Sequence, residues 1–505
     1  MGSSLLRYTR EEVLSDMSKL IKILTEAHPD PFLNVGSQVK FFIKVNEFLK
    51  ELPETLDLSQ LHTLASKIAA LVGDGHTFMD PMGYHNGRFW IEFEPIDEKL
   101  IVIGVYESKY RNLIGNHLVA VNDIPLKDLL SRIIGIRGAN GAYNNLIHLA
   151  DALKDPCIIS SLTGNGTGDM DKAIFSLMSH ENNSIQRITI SCSKEPPGGL
   201  MENNSLDFPI SSESDISHGI LENRIGYLRI DSMRKYRENY ESQLKSGASE
   251  SFIRELLSRQ GIETNGGIEE IISVIPSASE AVIELLKAMG DKGIKDIVVD
   301  LQKNNGGNSY LSHILAYFLY GNRALEVDMG YDIERYSTWY RHQFNVMGNV
   351  DPFNEYNFQE MDKWLSGKRG MNLKEWEDIV ILSPTFTNYL KSYNPASGLR
   401  VYVLCSARTF SAGFDLLSIL KKCGATVIGI SPSQAANAFT NPIRFSLDIS
   451  GLKGWVSSKL MLKYPDEPLF FDIKPDISIG VENFKEHKWD SNTILMETKE
   501  LILSR

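Results

Sequence analysis

The sequence predicts an α/β protein of several domains, and three patterns along the chain indicate this class. Helices and buried strands alternate over the second half, where the strands DIVVDL and VYVLCS each lead through a small-residue turn into a helix. Such alternation is typical of βαβ units. Short strands separated by turns follow one another from position 89 to position 134, and apolar residues at helical spacing fill the N-terminal part.

The length and overall composition limit the number of domains and the kinds of partner that the protein can bind. A chain of 505 residues is too long for one core and is expected to form roughly two to four units. The net charge of −12, without any Lys/Arg-rich run, argues against a nucleic-acid-binding surface. No stretch of about 18 apolar residues occurs, so we expect no membrane span. Charges close to the N-terminus predict a cytoplasmic location, with a removed leader and an extracytoplasmic location as the alternative.

Residues 1–80 form a predicted helical unit. Apolar residues recur at helical spacing from Glu11, two prolines in HPDPF interrupt the pattern, and further helices follow at 39–49 and in LSQLHTLASKIAALV. The unit ends in the turn D-G-H-T, where glycines free the backbone around Asp74 and His76. Packing does not require a histidine on such a turn, so His76 is a candidate catalytic residue.

Residues 88–210 form a predicted β-rich module. The strands FWIEFEPI and KLIVIGVY precede a strand, an Asn-Asp turn and a short helix that begin at Gly115, an order that suits a small, degenerate PDZ-like module. A plain β-subdomain fits the pattern equally well. PDZ-type modules bind an extended peptide at a sheet edge. From 140 to 209 the pattern is weak apart from ITISCS, and clusters of Asn, Ser, Gly and Pro predict surface loop.

Residues 220–485 form the predicted α/β core, and residues 486–505 a closing helix. Two excursions interrupt this core. The first, at about 235–275, is charged and helical, and we expect it to form a lid or an oligomer contact. The second, at about 330–372, is rich in aromatic and acidic residues, and it either lines a substrate groove or forms a partly buried insertion.

Ser411, in the turn that follows VYVLCS, is a candidate nucleophile. A serine hydroxyl attacks a carbonyl only when a base takes its proton and donors stabilise the resulting oxyanion. The amide of Ala412 follows the serine at a helix start, and the other turn offers a second donor at Gly306 or Gly307. A serine that merely caps the helix is the alternative. The elbow G-x-S-x-G is absent, which disfavours the α/β-hydrolase fold.

Five motifs in order resemble peptidase family S41. They are D-G-H-T at 74–77, D-L-x-x-N-x-G-G at 300–307, T-x-S-A-G at 409–413, V-I-G at 427–429 and K-P-D-I at 474–477. This family contains the C-terminal (tail-specific) processing proteases, the tricorn core and non-hydrolytic retinoid-binding relatives. The resemblance implies a ββα superhelix core of the crotonase and ClpP type. It also implies a serine peptidase that acts on peptides or proteins as an endopeptidase or a C-terminal processing enzyme.

The resemblance further implies roles for individual residues. Ser411 corresponds to the nucleophile, and the amides of Ala412 and Gly307 (or Gly306) correspond to the oxyanion hole. The tail-specific branch uses a lysine base after V-I-G, but no lysine occurs between positions 422 and 453. We therefore expect the His-dependent, tricorn-like branch, with His76 as general base.

Two positions depart from the family pattern. The acidic residue expected shortly before K-P-D-I has two candidates, Glu467 and Asp472, neither in clear register, and Asp472 is alternatively a solvated turn residue. Gln302 stands where the family has an arginine.

Other functions on the same scaffold stay open at this point. They are a non-hydrolytic binding protein and a repurposed peptide-tailoring or acyl-transfer enzyme, although the presence of both Ser411 and His76 favours hydrolysis. The proposed chemistry uses only side chains and amides, and the four cysteines lack C-x-x-C spacing, so neither a cofactor nor a metal is expected. The oligomeric state is open, with a homodimer as one alternative.

Overall fold

The computed structural model describes residues 7–82, 87–164, 170–206, 208, 210, 214–344, 355–393 and 398–505. The strands of these residues form a two-stranded pair and sheets of seven, six and five strands. The fold is a mixed α/β fold of several domains. Among the helices that the described ranges contain, none is long and apolar enough to cross a membrane.

The N-terminal unit consists of three helices that pack around one apolar core. Its elements are β1 (Arg7–Thr9), α1 (Arg10–Ala27), α2 (Gln38–Lys50), β2 (Thr55–Asp57), α3 (Leu58–Ala70) and β3 (Phe78–Met79). Helix α1 begins at a capping box between Thr9 and Glu12 and buries Val13, Met17 and Leu20 along one face. The same core continues into strand residues near the C-terminus such as Phe445, so this unit packs directly on the rest of the chain.

The β-rich part has its own core. Its elements are β4 (Ile91–Ile96), β5 (Lys99–Val105), a 3-10 helix (Ser108–Leu113), β6 (His117–Val121), β7 (Ile124–Pro125), α4 (Leu126–Ile134), α5 (Ala142–Ala152), α6 (Pro156–Thr163), β8 (Lys172–Met178), β9 (Ile185–Ser191) and β10 (Met201–Glu202). The sheet runs in the order β10-β5-β6-β8-β9, with β4 on β5 and β7 on β6.

The expectation of surface loop from 140 to 209 is wrong for most of that stretch. Helices α5 and α6 and strands β8 and β9 occupy it, and they bury Leu149, Phe175 and Ile188 in the module core. Buried Asn144 interrupts the helical pattern of apolar residues in α5, and its side chain is paired locally, with the Asn140 amide and with His148 Nε2. Positions 165–169, 207 and 209 lie outside the described residues.

The central layer is a six-stranded sheet in the order β11-β12-β13-β16-β17-β20, in which all pairs except β11 with β12 are parallel. Its first part comprises β11 (Ile216–Leu221), β12 (Ile225–Ile230), α7 (Arg237–Lys245), α8 (Glu250–Arg259), α9 (Ile268–Ser273), α10 (Ala278–Asp291), β13 (Asp296–Asp300) and α11 (Tyr310–Tyr320). Helices α7, α8 and α9 are the first excursion, and they share a small core of their own.

The second excursion precedes the strand that carries the candidate nucleophile. It contains β14 (Tyr331–Arg335), α13 (Thr338–Phe344), β15 (Tyr356–Asn357) and α14 (Gln359–Leu365). Helix α12 (Arg323–Glu326) precedes it, and helices α15 (Leu373–Val380) and α16 (Pro384–Ser392) follow it. Positions 345–354 of it lie outside the described residues. The chain then forms β16 (Arg400–Cys405), α17 (Ala412–Lys422), β17 (Thr426–Gly429), β18 (Asn437–Ser446), β19 (Lys453–Leu462), β20 (Ile477–Ser478), α18 (Val481–Glu486) and α19 (Thr493–Leu503).

A second, antiparallel sheet joins distant parts of the chain. It runs in the order β15-β14-β19-β18, and β3 of the N-terminal unit adds to β19 through Phe78 and Met79. Because β3 directly follows the D-G-H-T turn, this pairing fixes the turn beside the C-terminal strands.

Candidate active site

Ser411 lies just beyond the carboxyl end of β16 and directly before α17. Its backbone has φ 53° and ψ −126°, a combination that a residue with a side chain rarely adopts. The side chain is half-buried and lines an open cleft. Strained conformations of this kind concentrate at functional sites, and the start of a helix favours negative charge.

The two glycine-containing turns are hydrogen-bonded to each other. The Phe410 amide donates to the Asn304 carbonyl at 2.9 Å, and the Thr409 hydroxyl donates to the Leu301 carbonyl at 2.8 Å. A Cβ atom at Gly306 would lie 2.5 Å from the Cβ of Ser411. Only glycine therefore fits at 306 without displacing the serine.

The two candidate glycine amides differ in their partners. Gly306 N donates to Asn304 Oδ1 at 3.0 Å, so that amide is already occupied. Gly307 forms a parallel bridge with Met233, but the two hydrogen bonds of this bridge use Gly306 O and the Asn308 amide. The bridge thus leaves the Gly307 amide unused, which makes Gly307 the better candidate to act beside Ala412.

His76 is buried, with 5% of its surface exposed, and its ring stacks on Phe410 at 4.6 Å between centroids. Phe410 immediately precedes Ser411, so the histidine lies one residue from the candidate nucleophile. Burial lowers the pKa of His76, and the Asp74 carboxylate and the Phe439 carbonyl oppose that shift only in part. The imidazole is therefore neutral near pH 7. Neither ring nitrogen makes a hydrogen bond of normal geometry to a described residue.

The turn that carries His76 is held by the buried carboxylate of Asp74. Asp74 Oδ1 accepts from the His76 amide at 2.7 Å and from the Ser457 hydroxyl at 2.9 Å. Burial alone would raise the pKa of Asp74, but hydrogen bonds from His28 and Thr77 and the nearby His76 outweigh it and lower that pKa. The carboxylate therefore stays charged.

His28 is a site residue that sequence reasoning missed. Its Nδ1 accepts from the Asp30 amide at 3.0 Å, so Nε2 carries the proton and donates to Asp74 Oδ2 at 3.1 Å. The side chain is fully buried. The only signal in the sequence is the HPDPF break after α1, which predicts a turn but gives no sign of a partner 46 positions later.

The structure brings Ser411, Ala412, Gly306 and Gly307 together and places the His76 ring on Phe410, without a hydrogen bond to Ser411. It does not place the candidate third members at the ring. Glu467 is exposed. Asp472 is also exposed, and it lies beside Gly141, where a Cβ atom would be 3.3 Å from Asp472 Oδ1. Desolvation by neighbouring atoms raises the pKa of Asp472, although most of the residue's surface is exposed. Neither carboxylate hydrogen bonds to the ring, and their assignment stays a prediction.

Gln302, at the position where the family pattern has an arginine, hydrogen bonds to the carboxyl group of Asp300. Its Nε2 donates to both oxygens of Asp300 at 3.1 Å, and the Tyr227 hydroxyl donates to Asp300 Oδ2 at 2.6 Å. Burial raises the pKa of Asp300, and these hydrogen bonds offset the shift in part. The strand end before the first glycine turn is thus fixed without an arginine at 302.

Ser411 opens onto a cleft of about 880 Å³ between α11, the second excursion and strands β18 and β19. Its charged lining is mixed, with Asp332, Glu360, Glu375, Asp378, Lys363, Lys368, Arg369, Lys459 and Lys463. Next to the serine, Asp415 of α17 pairs with Lys463 at 3.1 Å and accepts from the Ser309 hydroxyl at 2.6 Å. The cleft is large and polar enough to admit an extended peptide.

A serine on a strained turn at a helix start, next to a residue that stacks on a buried histidine, is typical of serine hydrolases. The model of Peptidase family S41 matches residues 224–479, about half of the chain. The chain belongs to Peptidase family S41, and it is a serine-type peptidase.

Solved structures share the fold at low sequence identity. Mature CPAF is 12% identical with a TM-score of 0.59 over 96% of this chain and 97% of that chain. Mature CPAF complexed with lactacystin is 13% identical with a TM-score of 0.59 over 98% of both chains. The photosystem II D1 C-terminal processing protease is 13% identical over 94% of both chains, with a TM-score of 0.42. The CPAF structures show that the common fold extends over nearly the whole chain. No curated protein matches the chain significantly.

Proposed function

We propose that this peptidase cleaves peptide bonds through an acyl-enzyme on Ser411, with His76 as general base. The observation that carries this proposal is the stacking of the neutral His76 ring on Phe410, at 4.6 Å, directly before the strained serine. A base must be unprotonated to accept the hydroxyl proton, and burial keeps His76 in that form.

The proposed reaction has two steps, acylation of the serine and hydrolysis of the acyl-enzyme. His76 takes the proton of Ser411 as the oxygen attacks the peptide carbonyl, and the amides of Ala412 and Gly307 stabilise the oxyanion. His76 then returns the proton to the leaving amine, and water resolves the acyl-enzyme by the same route. Gly306 contributes by leaving room for the serine rather than by donating, since its amide is bound to Asn304.

The lysines of the cleft support a histidine base over a lysine base. Lys459 pairs with Asp332 at 2.8 Å, and Lys463 pairs with Asp415 at 3.1 Å. Burial would lower the pKa of Lys459, but the Asp332 and Glu334 carboxylates outweigh it and raise that pKa. An ion-paired, protonated lysine cannot accept the serine proton. The proposal therefore places this chain in the His-dependent branch of the family.

Asp74 has a positioning role in this proposal. It binds the backbone amide of His76 and is itself held by His28. Asp472 and Glu467 remain the candidates for a third member in contact with the ring, and the segment 464–476 would have to bring one of them to His76.

The proposal also gives the β-rich module a PDZ-like role and the core a ββα superhelix arrangement. The module sheet ends at β9 on one side and at the two-residue strand β10 on the other. Such edges accept an extended peptide as an added strand. Arg408, three residues before Ser411, donates to Glu94 of β4 at 2.6 Å, which ties the module to the serine turn.

A fluorophosphonate probe tests the nucleophile. We expect wild-type protein to be labelled on Ser411, Ser411→Ala to stay unlabelled, and Ser309→Ala, a serine of the same cleft, to keep the label. Equal labelling of wild type and Ser411→Ala would overturn the assignment.

The base is tested by kinetics with a fluorogenic peptide. His76→Ala should lower kcat on the order of 10²–10⁴-fold and leave KM nearly unchanged, because it removes proton transfer rather than binding. Unchanged turnover would point to a different base.

A further inference from the structure

A second cavity, of about 310 Å³, lies behind the D-G-H-T turn, between α3, the α4–α5 connection and α6. It shares no lining residue with the Ser411 cleft. Its volume is near the lower end, about 300 Å³, of sites that hold small molecules. The walls are mainly apolar, with Met79, Met82, Ile133, Ile136, Ala152 and Ile158.

Arg137, which lines this cavity, is a cation without a counter-ion. Its guanidinium lies over the Phe78 ring at 3.6 Å and makes no ion pair or hydrogen bond to any residue in the described part of the chain, and its Nε is buried. Burial lowers the pKa of Arg137 to about 10, so the group stays charged at neutral pH. The nearby acids have other partners, because Asp151 pairs with Lys154 and Arg408, and Asp80 accepts from Trp455. Asp155, which also lines the cavity, caps α6 and accepts from the Cys157 amide at 2.9 Å.

His148, which also lines the cavity, has an unused hydrogen-bond donor. Asn144 Oδ1 accepts from the Asn140 amide at 3.0 Å, so Asn144 Nδ2 is the group that faces His148 Nε2 at 3.3 Å. His148 Nε2 is therefore the acceptor, and the proton lies on Nδ1. That nitrogen is buried and has no partner within the described ranges. Burial and the charge of Arg137 lower the pKa of His148, which keeps the ring neutral.

The cavity thus contains two buried donors, one of them charged, that have no acceptor among the described residues. This arrangement favours a ligand with an anionic acceptor group and an apolar body. Buried polar groups are normally paired, and a buried charge is strongly disfavoured without a partner. The walls also carry the carboxylates of Asp151 and Asp155, and these would repel a doubly charged phosphate or sulfate more strongly than a singly charged carboxylate. A carboxylate matches the planar guanidinium, and an aliphatic chain matches the walls.

We propose that this cavity binds a carboxylate on a short apolar chain, with the carboxylate on Arg137 and His148 Nδ1 and the chain against the walls. The same chemistry is presented by a free aliphatic acid and by the apolar C-terminal residue of a peptide. The site is independent of the chemistry at Ser411.

Calorimetric titration of the Ser411→Ala protein tests the proposal without any turnover of peptide. We expect octanoate to bind at least tenfold more tightly than octanamide, and an acetylated peptide ending in leucine to bind more tightly as the free acid than as the amide. The acid that binds more tightly shows whether the site accepts a free aliphatic acid or the C-terminus of a peptide. If neither acid binds more tightly than its amide, the proposal is overturned.

Variants locate the binding. Arg137→Met should weaken octanoate binding at least tenfold, whereas Lys127→Met, an exposed position on α4, should leave it unchanged. Ser161→Trp fills the cavity while retaining Arg137, and it should also abolish binding. If circular dichroism shows that Arg137→Met does not fold, Ser161→Trp provides the test instead. Wild-type affinity in folded Ser161→Trp would overturn the assignment.

Discussion

At the scale of single residues, the backbone conformation of Ser411 lowers the stability of the fold while it holds the candidate nucleophile in place. Its φ of 53° and ψ of −126° are favourable only for glycine and cost roughly 1–3 kcal/mol in a residue with a Cβ atom. The hydrogen bonds between the two glycine turns hold it there. A serine is retained at this position although glycine would fit the backbone better, which is consistent with a chemical role for the hydroxyl.

This strain predicts the stability of two inactive variants. Ser411→Gly should unfold at a higher urea concentration than Ser411→Ala, by about 1 kcal/mol in the free energy of unfolding, because alanine keeps the strain and glycine removes it. Equal stabilities, or a more stable alanine variant, would show that the turn is not strained. Equilibrium urea unfolding monitored by tryptophan fluorescence gives the comparison.

The lowered pKa of His76 predicts the pH dependence of catalysis. Only the neutral ring accepts a proton, so activity should persist as the pH falls below 6.5 and be lost where His76 in the folded enzyme becomes protonated. We expect the acid limb of kcat/KM to have its midpoint below 6.5. Enzyme held at each acid pH and returned to pH 7.5 should recover full activity, which separates titration from unfolding. A midpoint at or above 6.5 would contradict the burial argument.

The candidate residues that the sequence predicts and those that it misses differ in the range of their contacts. Ser411 and His76 stand in short motifs whose local chemistry is unusual, so they could be predicted. His28 acquires its role only through Asp74, and Arg137 only through the cavity that other helices enclose. Pairings between distant positions of this kind leave no pattern in the sequence around either residue.

At the scale of the elements, the turn at 306–307 is fixed by close approach. A Cβ atom at Gly306 would lie 2.5 Å from Ser411 Cβ and 3.1 Å from the Ala412 amide nitrogen, and one at Gly307 would lie 2.1 Å from the Met233 carbonyl oxygen. Both glycines also have positive φ, 97° and 145°. The two turns therefore tolerate no side chain between them.

This close approach predicts that Gly306→Ala strongly lowers catalytic activity. The added methyl group would displace Ser411 and the Ala412 amide together, so kcat/KM should fall at least about 10²-fold, as when an oxyanion donor is lost. Gly267→Ala is the matched control, because that glycine has φ −70° and no atom within 4 Å of its Cβ position. Steady-state kinetics with the same fluorogenic peptide checks both variants, and near-wild-type rates for Gly306→Ala would exclude the geometry.

Regular elements with one apolar face were predictable, and elements completed by distant partners were not. Helix α17 spans Ala412–Lys422, as the apolar spacing predicts. Helix α5 was missed because Asn144 is buried within it. Strand β3 has only two residues and exists through its pairing with β19, more than 370 positions away. The local spacing of apolar residues indicates which face of an element is buried. A two-residue strand such as β3 has no such spacing and forms only when its partner strand is in place.

At the scale of the whole molecule, the candidate base and nucleophile are brought together by three connections. The N-terminal helices share a core with β18 and β19, β3 adds to β19, and Ser457 of β19 binds Asp74. Arg408 links the β-rich module to the serine turn. The position of His76 relative to Ser411 therefore depends on how the N-terminal helices, the β-rich module and the C-terminal strands dock on one another.

Three histidines with lowered pKa values predict that the protein loses stability in mild acid. The pKa values of His76, His148 and His313 are all lowered, mainly by burial, and that of His313 falls to about 4. In the unfolded chain these rings take up protons near pH 6.5, whereas in the folded protein they stay neutral. Protons therefore bind preferentially to the unfolded state below pH 6.5, and the stability contributed by the neutral rings is lost as the pH falls.

The expected slope is about 1.4 kcal/mol per pH unit for each histidine that charges only on unfolding. Urea unfolding midpoints should fall clearly between pH 7.5 and pH 5.5, before most carboxylates titrate. His313→Gln removes one of the three rings while keeping a polar side chain of similar size, so its stability should depend less steeply on pH than that of the wild type. Equal pH dependence in the two proteins would show that His313 is free to protonate in the folded state, and a flat wild-type profile would contradict the burial of all three.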